Sequence, residues 1–299
     1  MLEKLQKLLG EAKVRMQEPM SSHTTFRIGG PADYFVMPET TEELAEILKL
    51  CKEENMPYFI LGNGSNLLVG DQGIRGVVIQ LYKNFDGLLI EGTKITAKAG
   101  AMLIRVAKEA GKAGLTGLEF ASGIPGTIGG AMVMNAGAYG GEMKDVVSQV
   151  TVLTKDGDIK TLTGEEMNFR YRGSVVEDKG YIVLEAVFEL KAGDLEEIQT
   201  RIQELSIQRK TKQPIEYPSA GSTFKRPVGY FAGKLIQDAG LRGYSKGGAQ
   251  VSEKHCGFVI NTGGATAADV MQLIQDVSDK VEAQFGVALE PEVKRIGEF

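Results

Sequence analysis

The chain has 299 residues, of which 42% are hydrophobic and 24% are charged, and its formal net charge is −5. This length lies at the upper end of the roughly 250–300 residues at which single hydrophobic cores stop growing, so we expect two or three domains. The acidic balance argues against a nucleic-acid partner, because proteins that bind the phosphate backbone are normally basic. Glycine occurs at 38 positions, nearly double its usual share of about 7%.

The cysteines and the N-terminal residues indicate a cytoplasmic location. Cys51 and Cys256 belong to no CxxC pair, which excludes a disulfide framework and suits a reducing compartment. The first residues carry leucines at helical spacing among charges, unlike the apolar core of a signal peptide. The sequence contains no run of about 18 apolar residues, so no membrane span is predicted. We therefore expect no membrane partner. The isolated cysteines and the two isolated histidines do not form a metal site, so we expect no bound metal.

Helix and strand signals follow one another in the N-terminal part of the chain. An amphipathic helix is predicted in the first residues, and Thr40 and Glu43 have capping-box spacing at the start of a second helix. The apolar face of this second helix consists of Leu44, Ile47, Leu48 and Cys51. Apolar runs then predict a short buried strand over 58–61, followed by a glycine-rich loop, and another strand over 76–81.

The middle of the chain combines helices with a hairpin. A helix is predicted around 101–112, and a second glycine-rich stretch follows at 114–141. Asp156-Gly157 lies between two alternating runs and predicts the turn of a β-hairpin. A strand over 181–190 leads to another helix. The apolar stripe of that helix consists of Leu195, Ile198, Ile202 and Leu205.

A change of composition marks the C-terminal part. Residues 209–227 contain three prolines and are predicted to form a loop. Beyond them we predict a short helix over 229–239, a strand over 257–261, a long helix and a final strand over 289–296. The apolar face of the long helix consists of Val270, Leu273, Ile274, Val277 and Val281.

The order of these elements favours an α+β fold. Strands do not alternate regularly with helices, and hairpin signals are present, which argues against a doubly wound parallel sheet. Boundaries near residues 85 and 212 divide the chain into three predicted regions, residues 1–85, 86–212 and 213–299. No tandem repeat is evident.

The first glycine-rich loop, residues 62–66, has the composition of a phosphate-binding loop. Successive backbone N–H groups in such a loop form an anion-binding nest, and glycine permits the left-handed conformations that a nest needs. The loop is not a dinucleotide-binding fingerprint of the Rossmann type, because Leu67 stands at the third glycine position and no helix pattern follows. An ordinary tight turn is the alternative interpretation.

The second glycine-rich loop, residues 122–130, offers many backbone donors and two hydroxyls but no cation. Backbone N–H groups and hydroxyls alone are sufficient to bind a diphosphate. Two such loops in one α+β unit indicate a dinucleotide held between two small lobes. A flexible, bend-rich loop is the alternative, although disordered linkers are usually less apolar.

Six short segments occur in a fixed order along nearly the whole chain. They are TTFRIGGPA (24–32), LGNGSNLLV (61–69), EFASGIPGTIGGAMVMNAGAYG (119–140), FRYRGS (169–174), AGSTFKRP (220–227) and LEPEVKRIG (289–297). Together they resemble the UDP-N-acetylenolpyruvoylglucosamine reductase family. The resemblance implies a two-lobed FAD-binding domain of the vanillyl-alcohol-oxidase type, followed by a C-terminal α+β substrate-binding domain.

The resemblance also implies a cofactor and the residues that bind it. FAD is expected to be bound non-covalently, and NADPH is expected to be the reducing co-substrate. Some flavoproteins of this fold attach FAD to a histidine, but we do not expect His23 to do so. Arg27 is expected to stabilise the cofactor region, or alternatively only to brace its turn. The expected FAD-binding residues are Arg27, Gly62, Asn63, Gly64, Ser65, Asn66, Leu67, Ser122, Gly123, Ile124, Pro125, Gly126, Thr127, Gly130 and Ala131.

The implied reaction is the reduction of UDP-N-acetylglucosamine enolpyruvate to UDP-N-acetylmuramate, a precursor of peptidoglycan. By their match to the family segments, Arg172 and Glu292 are expected to stabilise the enolate-like charge, and Ser222 is expected to donate the proton. Glu290 lies two residues before Glu292 and would share its face of a strand, so it is the alternative carboxylate. Without the resemblance, Ser222 would be interpreted as a turn residue.

Further residues are expected to bind the substrate. They are Tyr139, Tyr171, Lys212, Lys225 and Arg226. Only a short connection separates FRYRGS from the next strand, so the chain resembles the shorter form of the family, which lacks an extra tyrosine-bearing loop. We expect a monomer. Two other functions are alternatives. An oxidase of the same fold would consume oxygen without the enolpyruvyl substrate, and a non-enzymatic nucleotide-binding module would be purified without FAD and would not take it up.

Overall fold

In a computed structural model that describes residues Met1–Phe299, the chain forms eight helices and nineteen strands. The helices are α1 (Leu2–Leu9), α2 (Thr41–Glu53), α3 (Leu103–Lys112), α4 (Ile128–Met134), α5 (Val175–Lys179), α6 (Leu195–Lys212), α7 (Ala232–Asp238) and α8 (Ala267–Phe285). The strands are β1 (Val14–Pro19), β2 (Pro31–Val36), β3 (Tyr58–Leu61), β4 (Leu67–Val69), β5 (Ile74–Gln80), β6 (Leu88–Glu91), β7 (Lys94–Lys98), β8 (Leu115–Thr116), β9 (Gly137–Ala138), β10 (Gly141–Glu142), β11 (Val147–Leu153), β12 (Ile159–Thr163), β13 (Ile182–Glu189), β14 (Lys191–Ala192), β15 (Ser219–Ser222), β16 (Ser245–Lys246), β17 (Ala249–Val251), β18 (Phe258–Asn261) and β19 (Lys294–Ile296).

The chain divides into two compact units, each with its own hydrophobic core. Unit 1 comprises Met1–Arg15, Tyr34–Asn63 and Gly76–Gln208, and unit 2 comprises Met16–Asp33, Gly64–Arg75 and Arg209–Phe299. The unit boundaries fall inside β1, β2, β5, the first glycine-rich loop and α6. The division into regions 1–85, 86–212 and 213–299 stays a prediction.

The largest sheet of unit 1 has five strands in the order β12-β11-β13-β7-β6, and all neighbouring strands are antiparallel. The predicted hairpin is confirmed: β11 and β12 pair directly, and Gly157 in their turn has a φ of +91°. Earlier in the chain, strands β3 and β5 pair in parallel. Helices and mainly antiparallel strands therefore occur together, and the predicted α+β class is confirmed.

Helix α2 begins where the sequence predicts, but only half of the capping box forms. The Thr40 side chain accepts a hydrogen bond from the N–H of Glu43 at 3.1 Å. The Glu43 carboxylate instead accepts from the N–H of Glu39 at 2.7 Å. On the buried face, Cys51 is 1% exposed, and burial raises the pKa of its thiol to about 11. Its prediction as a core residue is confirmed.

Two predictions about unit 1 elements are wrong in detail. The strand over 58–61 is not buried throughout: Tyr58 is exposed, and only Leu61 is buried. In α6, Ile198 and Leu205 are buried as predicted, but Leu195 is exposed because it forms the first residue of the helix.

Helix α6 also extends further than predicted. Arg209 and Lys212 lie in its last turn rather than in a loop. Lysine, arginine and glutamine favour helices, and the helix stops only where Pro214 cannot continue it. The predicted loop over 209–227 is further interrupted by β15.

Unit 2 contains a four-stranded antiparallel sheet in the order β15-β18-β17-β16. The predicted face of α8 is fully confirmed, since all of its apolar residues are buried. The short helix predicted over 229–239 is shorter and begins at Ala232. Of the final strand predicted over 289–296, only β19 is regular, and it pairs in parallel with β4. Before β19, Pro291 forms an isolated bridge with Phe224. No helix has the length and apolar character needed to cross a membrane.

Candidate active site

The two glycine-rich loops approach each other within unit 1. The side-chain amide of Asn63 donates a hydrogen bond to the carbonyl oxygen of Pro125 at 2.6 Å. A Cβ atom on Gly62 would lie 2.3 Å from the Thr127 hydroxyl oxygen, so only glycine fits at this position. The first residues of one loop are therefore packed directly on the second.

The remaining part of the first loop belongs to unit 2 and is fixed by backbone contacts. Gly64 has a φ of +62°, and a Cβ atom there would lie 2.2 Å from the carbonyl oxygen of His23. Thr25 donates its N–H to the Gly64 carbonyl at 3.2 Å. The Asn66 side-chain amide donates to the carbonyl oxygen of Glu292 at 3.2 Å. This half of the loop is thus joined to the backbone of a predicted catalytic residue.

The second loop leads directly into α4. Its backbone is fixed by hydrogen bonds from Leu103 N–H to Gly126 O and from Ile128 N–H to Ala101 O, both at 2.9 Å. Thr127 is buried, and its hydroxyl accepts a long hydrogen bond of 3.5 Å from the N–H of Gly130. The end of the loop is therefore rigidly positioned by α3 and α4.

Both loops keep backbone N–H groups that have no hydrogen-bond acceptor within the chain. These residues are Asn63, Gly64, Ser65, Gly123, Gly126 and Thr127. Ser65 and Ser122 add hydroxyl groups, and neither loop contains a lysine, an arginine or a carboxylate. Uncharged donors of this kind fit a diphosphate, because successive N–H groups bind anions without a cation. The donors that lie together in unit 1, Asn63, Gly123, Gly126 and Thr127, therefore fit the diphosphate of a dinucleotide such as FAD.

Arg27 lies close in sequence to the turn that contacts Gly64. It is exposed and has a left-handed backbone with a φ of +56°. The turn is held by the N–H of Arg27, which donates to Thr24 O at 3.2 Å, and by the Asn261 amide, which donates to Phe26 O at 3.1 Å. Both contacts use backbone atoms of the turn, and neither involves the Arg27 guanidinium.

Arg172 lies at the tip of a tight turn in unit 1. The turn is closed by two hydrogen bonds between the backbones of Arg170 and Gly173, at 3.0 and 3.2 Å. Arg172 has a φ of +57°, and its guanidinium carbon lies 4.8 Å from the centre of the Tyr171 ring. Tyr171 is 50% exposed and Tyr139 is 39% exposed, so both rings are partly accessible.

Ser222 and Glu292 lie on two neighbouring segments of unit 2. Glu292 donates its N–H to the carbonyl oxygen of Thr223 at 2.8 Å. The hydroxyl of Thr223 is buried and accepts from the N–H of Val259 at 2.9 Å, which fixes the segment on β18. Ser222 is the exposed last residue of β15, so interpreting it as a simple turn residue is not supported.

The two candidate glutamates have different surroundings. Glu290 is 69% exposed, and its carboxylate is paired with the Lys225 ammonium group. Glu292 is half-buried. They do not lie on a regular strand, because only the isolated bridge at Pro291 joins them to the neighbouring segment. Lys225 is therefore partly neutralised by Glu290, and Glu292 is the carboxylate not used in that ion pair.

Two further candidate substrate-binding residues lie at the surface of unit 2. Lys212 is exposed at the end of α6. Arg226 is also exposed, and its guanidinium carbon lies 4.0 Å from the centre of the Phe231 ring.

Sequence analysis missed a group of polar residues around the Arg172 turn. Asn135, at the end of α4, and Ser174 are both fully buried. Hydrogen bonds to Lys144 and Asn135, together with the nearby charge of Arg172, lower the pKa of Glu142 despite its partial burial. The only signal in the sequence was a single polar residue, Asn135, inside the apolar run AMVMNAGA.

Family models and known proteins identify the family. Residues 213–296 match the model described as UDP-N-acetylenolpyruvoylglucosamine reductase, C-terminal domain, and residues 32–163 match an FAD binding domain. A UDP-N-acetylenolpyruvoylglucosamine reductase of Lachnoclostridium phytofermentans is 55% identical over 99% of this chain and 97% of its own length. The chain belongs to the UDP-N-acetylenolpyruvoylglucosamine reductase family.

Other members of this reductase family agree with the assignment. The protein of the same name from Agathobacter rectalis is 58% identical over 94% of this chain and 93% of its own length. The crystal structure of the Thermus caldophilus reductase superposes with a TM-score of 0.82 at 38% identity, and it covers 95% of this chain and 98% of that chain. The predicted fold, an FAD-binding domain followed by the family's C-terminal domain, is confirmed.

Because neutral N–H groups rather than a reactive side chain line both loops, we predict that this family member holds FAD non-covalently. His23, the histidine nearest the first loop, is hydrogen-bonded to the Glu18 carboxylate at 2.7 Å. Acid or heat denaturation should release intact FAD into the supernatant, as measured by flavin absorbance and chromatography. Flavin that stays with the denatured chain would contradict the prediction.

Proposed function

We propose that the chain reduces UDP-N-acetylglucosamine enolpyruvate to UDP-N-acetylmuramate, with NADPH as the reductant, in the synthesis of peptidoglycan precursors. The observation that carries this proposal is the pairing of the Ser222 and Glu292 segments through the backbone of Thr223. Membership of the reductase family supports the substrate, and the neutral donor set of the two loops supports FAD. A monomer in the cytoplasm remains our expectation from the sequence.

The reaction adds a hydride to one carbon of the enolpyruvyl double bond and a proton to the other. When bound, FAD supplies the hydride-transfer chemistry, for which no amino-acid side chain is suited. In unit 1, the free N–H groups of Asn63, Gly123, Gly126 and Thr127 would bind its diphosphate. Within unit 2, Arg27 follows the turn that contacts Gly64. The protein has two remaining tasks: to stabilise negative charge on the carboxylate and to deliver the proton.

Arg172 is proposed to stabilise the carboxylate. A guanidinium group is always charged and binds a carboxylate through two parallel N–H donors. The closed turn between Arg170 and Gly173 supports this role, because it fixes the backbone from which the side chain extends. A fixed donor contributes more to a transition state than one that must first be ordered.

Ser222 is proposed to donate the proton, and Glu292 to polarise or orient the reacting carboxylate or a water beside it. A serine hydroxyl is a weak acid, so a positive charge is needed to make its alkoxide tolerable. Lys225, which lies three residues from Ser222 in the same unit, is the candidate source within unit 2, and its ammonium group also pairs with Glu290.

The diphosphate of the substrate is proposed to contact the cations Lys212, Lys225 and Arg226. Each of the three side chains is at least partly accessible. Tyr139 and Tyr171 are proposed to contact the sugar or a phosphate, which their exposure supports. Contacts this far from the reacting carbons strengthen substrate binding in the ground state and in the transition state to a similar extent.

The surroundings of the two glutamates lead to a matched pair of variants. We predict that Glu292→Gln slows substrate-dependent NADPH oxidation by about 10²-fold or more. Glu290→Gln should change the rate by less than about fivefold, since an exposed ion pair is typically worth no more than about 1 kcal/mol. Steady-state kinetics measures both. Equal losses, or a larger loss in Glu290→Gln, would contradict the assignment of this role to Glu292.

The proposed role of Ser222 predicts a defect in only one half-reaction. Reduction of FAD by NADPH needs no proton from this serine, whereas reduction of the enolpyruvyl group does. Ser222→Ala should keep the rate of flavin reduction and slow reoxidation of the flavin by substrate by about 10²–10⁴-fold, the usual contribution of a positioned general acid.

Stopped-flow absorbance of the flavin separates the two half-reactions. Ser219→Ala is a suitable control, because Ser219 lies at the other end of β15 and uses its backbone in the sheet. If reduced Ser222→Ala protein is reoxidised by substrate at the wild-type rate, the serine is not the proton donor. A water held by Glu292 would then be the next candidate.

A further inference from the structure

The backbone of Arg172 has an unfavourable conformation that other residues must maintain. Its φ of +57° lies in the left-handed region, where a residue other than glycine is uncommon and is retained only when its surroundings fix it. The residues that fix this turn therefore also determine the direction of the Arg172 side chain.

One buried residue, Asn135, connects the turn to the rest of unit 1. It follows the last residue of α4 and has a left-handed backbone with a φ of +41°, a conformation that asparagine tolerates better than most residues. Its side chain is fully buried. A buried amide of this kind is stable only when its donors and its acceptor have partners.

Each polar atom of the Asn135 side chain has a partner. The amide nitrogen donates to the carbonyl oxygen of Arg170 at 3.2 Å and to the Glu142 carboxylate at 2.9 Å. The amide oxygen accepts from the N–H of Lys144 at 3.0 Å. One side chain therefore joins the base of the Arg172 turn to the segment that carries Glu142.

Two further contacts hold the same turn. The buried Ser174 hydroxyl donates to the carbonyl oxygen of Val133, in α4, at 3.1 Å. On the solvent side, the Arg170 guanidinium forms a two-pronged ion pair with Asp178, with distances of 2.6 and 2.9 Å. Thr127 in the second glycine-rich loop is the N-cap of helix α4, so the helix connects that loop at one end with the Arg172 turn at the other.

We propose that Asn135 is a positioning residue for Arg172: by binding the carbonyl oxygen of Arg170, it sets the turn from which the guanidinium reaches the substrate carboxylate. This inference rests on the proposed role of Arg172. Asn135 itself touches neither substrate nor cofactor in this role, and Asp178 supports the turn from the opposite side.

The test is a double-mutant cycle with Asn135→Asp and Arg172→Ala. Aspartate has the shape of asparagine and still accepts from Lys144, but it has no NH₂ group and so cannot donate to Arg170 and Glu142 at the same time. We expect Asn135→Asp to slow reoxidation of the reduced flavin by UDP-N-acetylglucosamine enolpyruvate by about 10²-fold, the size of effect that a misplaced catalytic group can produce. NADPH-dependent flavin reduction and FAD content should be unchanged.

The second background distinguishes positioning from a general structural effect. If Asn135 acts through Arg172, Asn135→Asp should cause little further slowing in the Arg172→Ala protein, because the group that it positions is already absent. A loss of equal size in both backgrounds, or a wild-type rate in Asn135→Asp, overturns the inference. A wild-type rate in Arg172→Ala alone instead contradicts the proposed role of Arg172, so the two failures are distinguishable.

Two other variants complete the experiment. Asn55→Asp is the matched control, because Asn55 also follows a helix of unit 1 with a left-handed φ of +48° but is exposed and bonds through its backbone only. It should behave as wild type.

If Asn135→Asp does not fold, Asp178→Asn tests the same turn from the surface. It should slow reoxidation about two- to fivefold, as expected for an exposed ion pair, and to a much smaller extent in the Arg172→Ala background. An unchanged rate in Asp178→Asn overturns the inference in that case.

Discussion

The backbone pairing of residues 222–225 with residues 290–292 is the interaction on which the proposed chemistry depends. Glu292 N–H binds Thr223 O, and Lys225 N–H binds Glu290 O, each at 2.8 Å. This pairing brings Ser222 and Glu292 onto neighbouring segments and leaves Glu290 to pair with Lys225. The Asn66 amide then joins the same segment to the first glycine-rich loop. Within unit 2, the backbone of the proposed proton-delivery residues is therefore continuous with a loop that is suited to binding the cofactor.

Unit 1 follows the same principle with different residues. Helix α4 leads from the second glycine-rich loop to Asn135, and Asn135 binds the base of the Arg172 turn. In both units, a loop with free N–H groups is connected through a few hydrogen bonds to a residue proposed to act on the substrate. Such supporting contacts reduce the reorganisation needed when charge develops, which is the main source of electrostatic catalysis.

Local signals in the sequence predicted the helices, strands and turns, but they could not predict contacts between residues that are distant in the sequence. Thr40, the Asp156-Gly157 turn and the apolar face of α8 were predicted because each depends on residues a few positions apart. The end of α6 was placed too early, because Pro214 was interpreted as part of a loop that starts at Arg209. Glu290 and Lys225 are 65 positions apart in the sequence. The side chain of Asn135 binds residues that are 7 and 35 positions away. No periodicity reports such contacts, and the family resemblance alone gave the candidate residues of the site.

The central claim is that a fixed group of the protein delivers a proton to the carbon that carries the carboxylate. The most direct measurement is to run the NADPH-dependent reaction on UDP-N-acetylglucosamine enolpyruvate in D₂O and analyse the product by NMR. Solvent deuterium should be bound to that carbon in a single configuration, because the donor approaches from one side. Product with no deuterium at that carbon, or with both configurations in equal amounts, would contradict it.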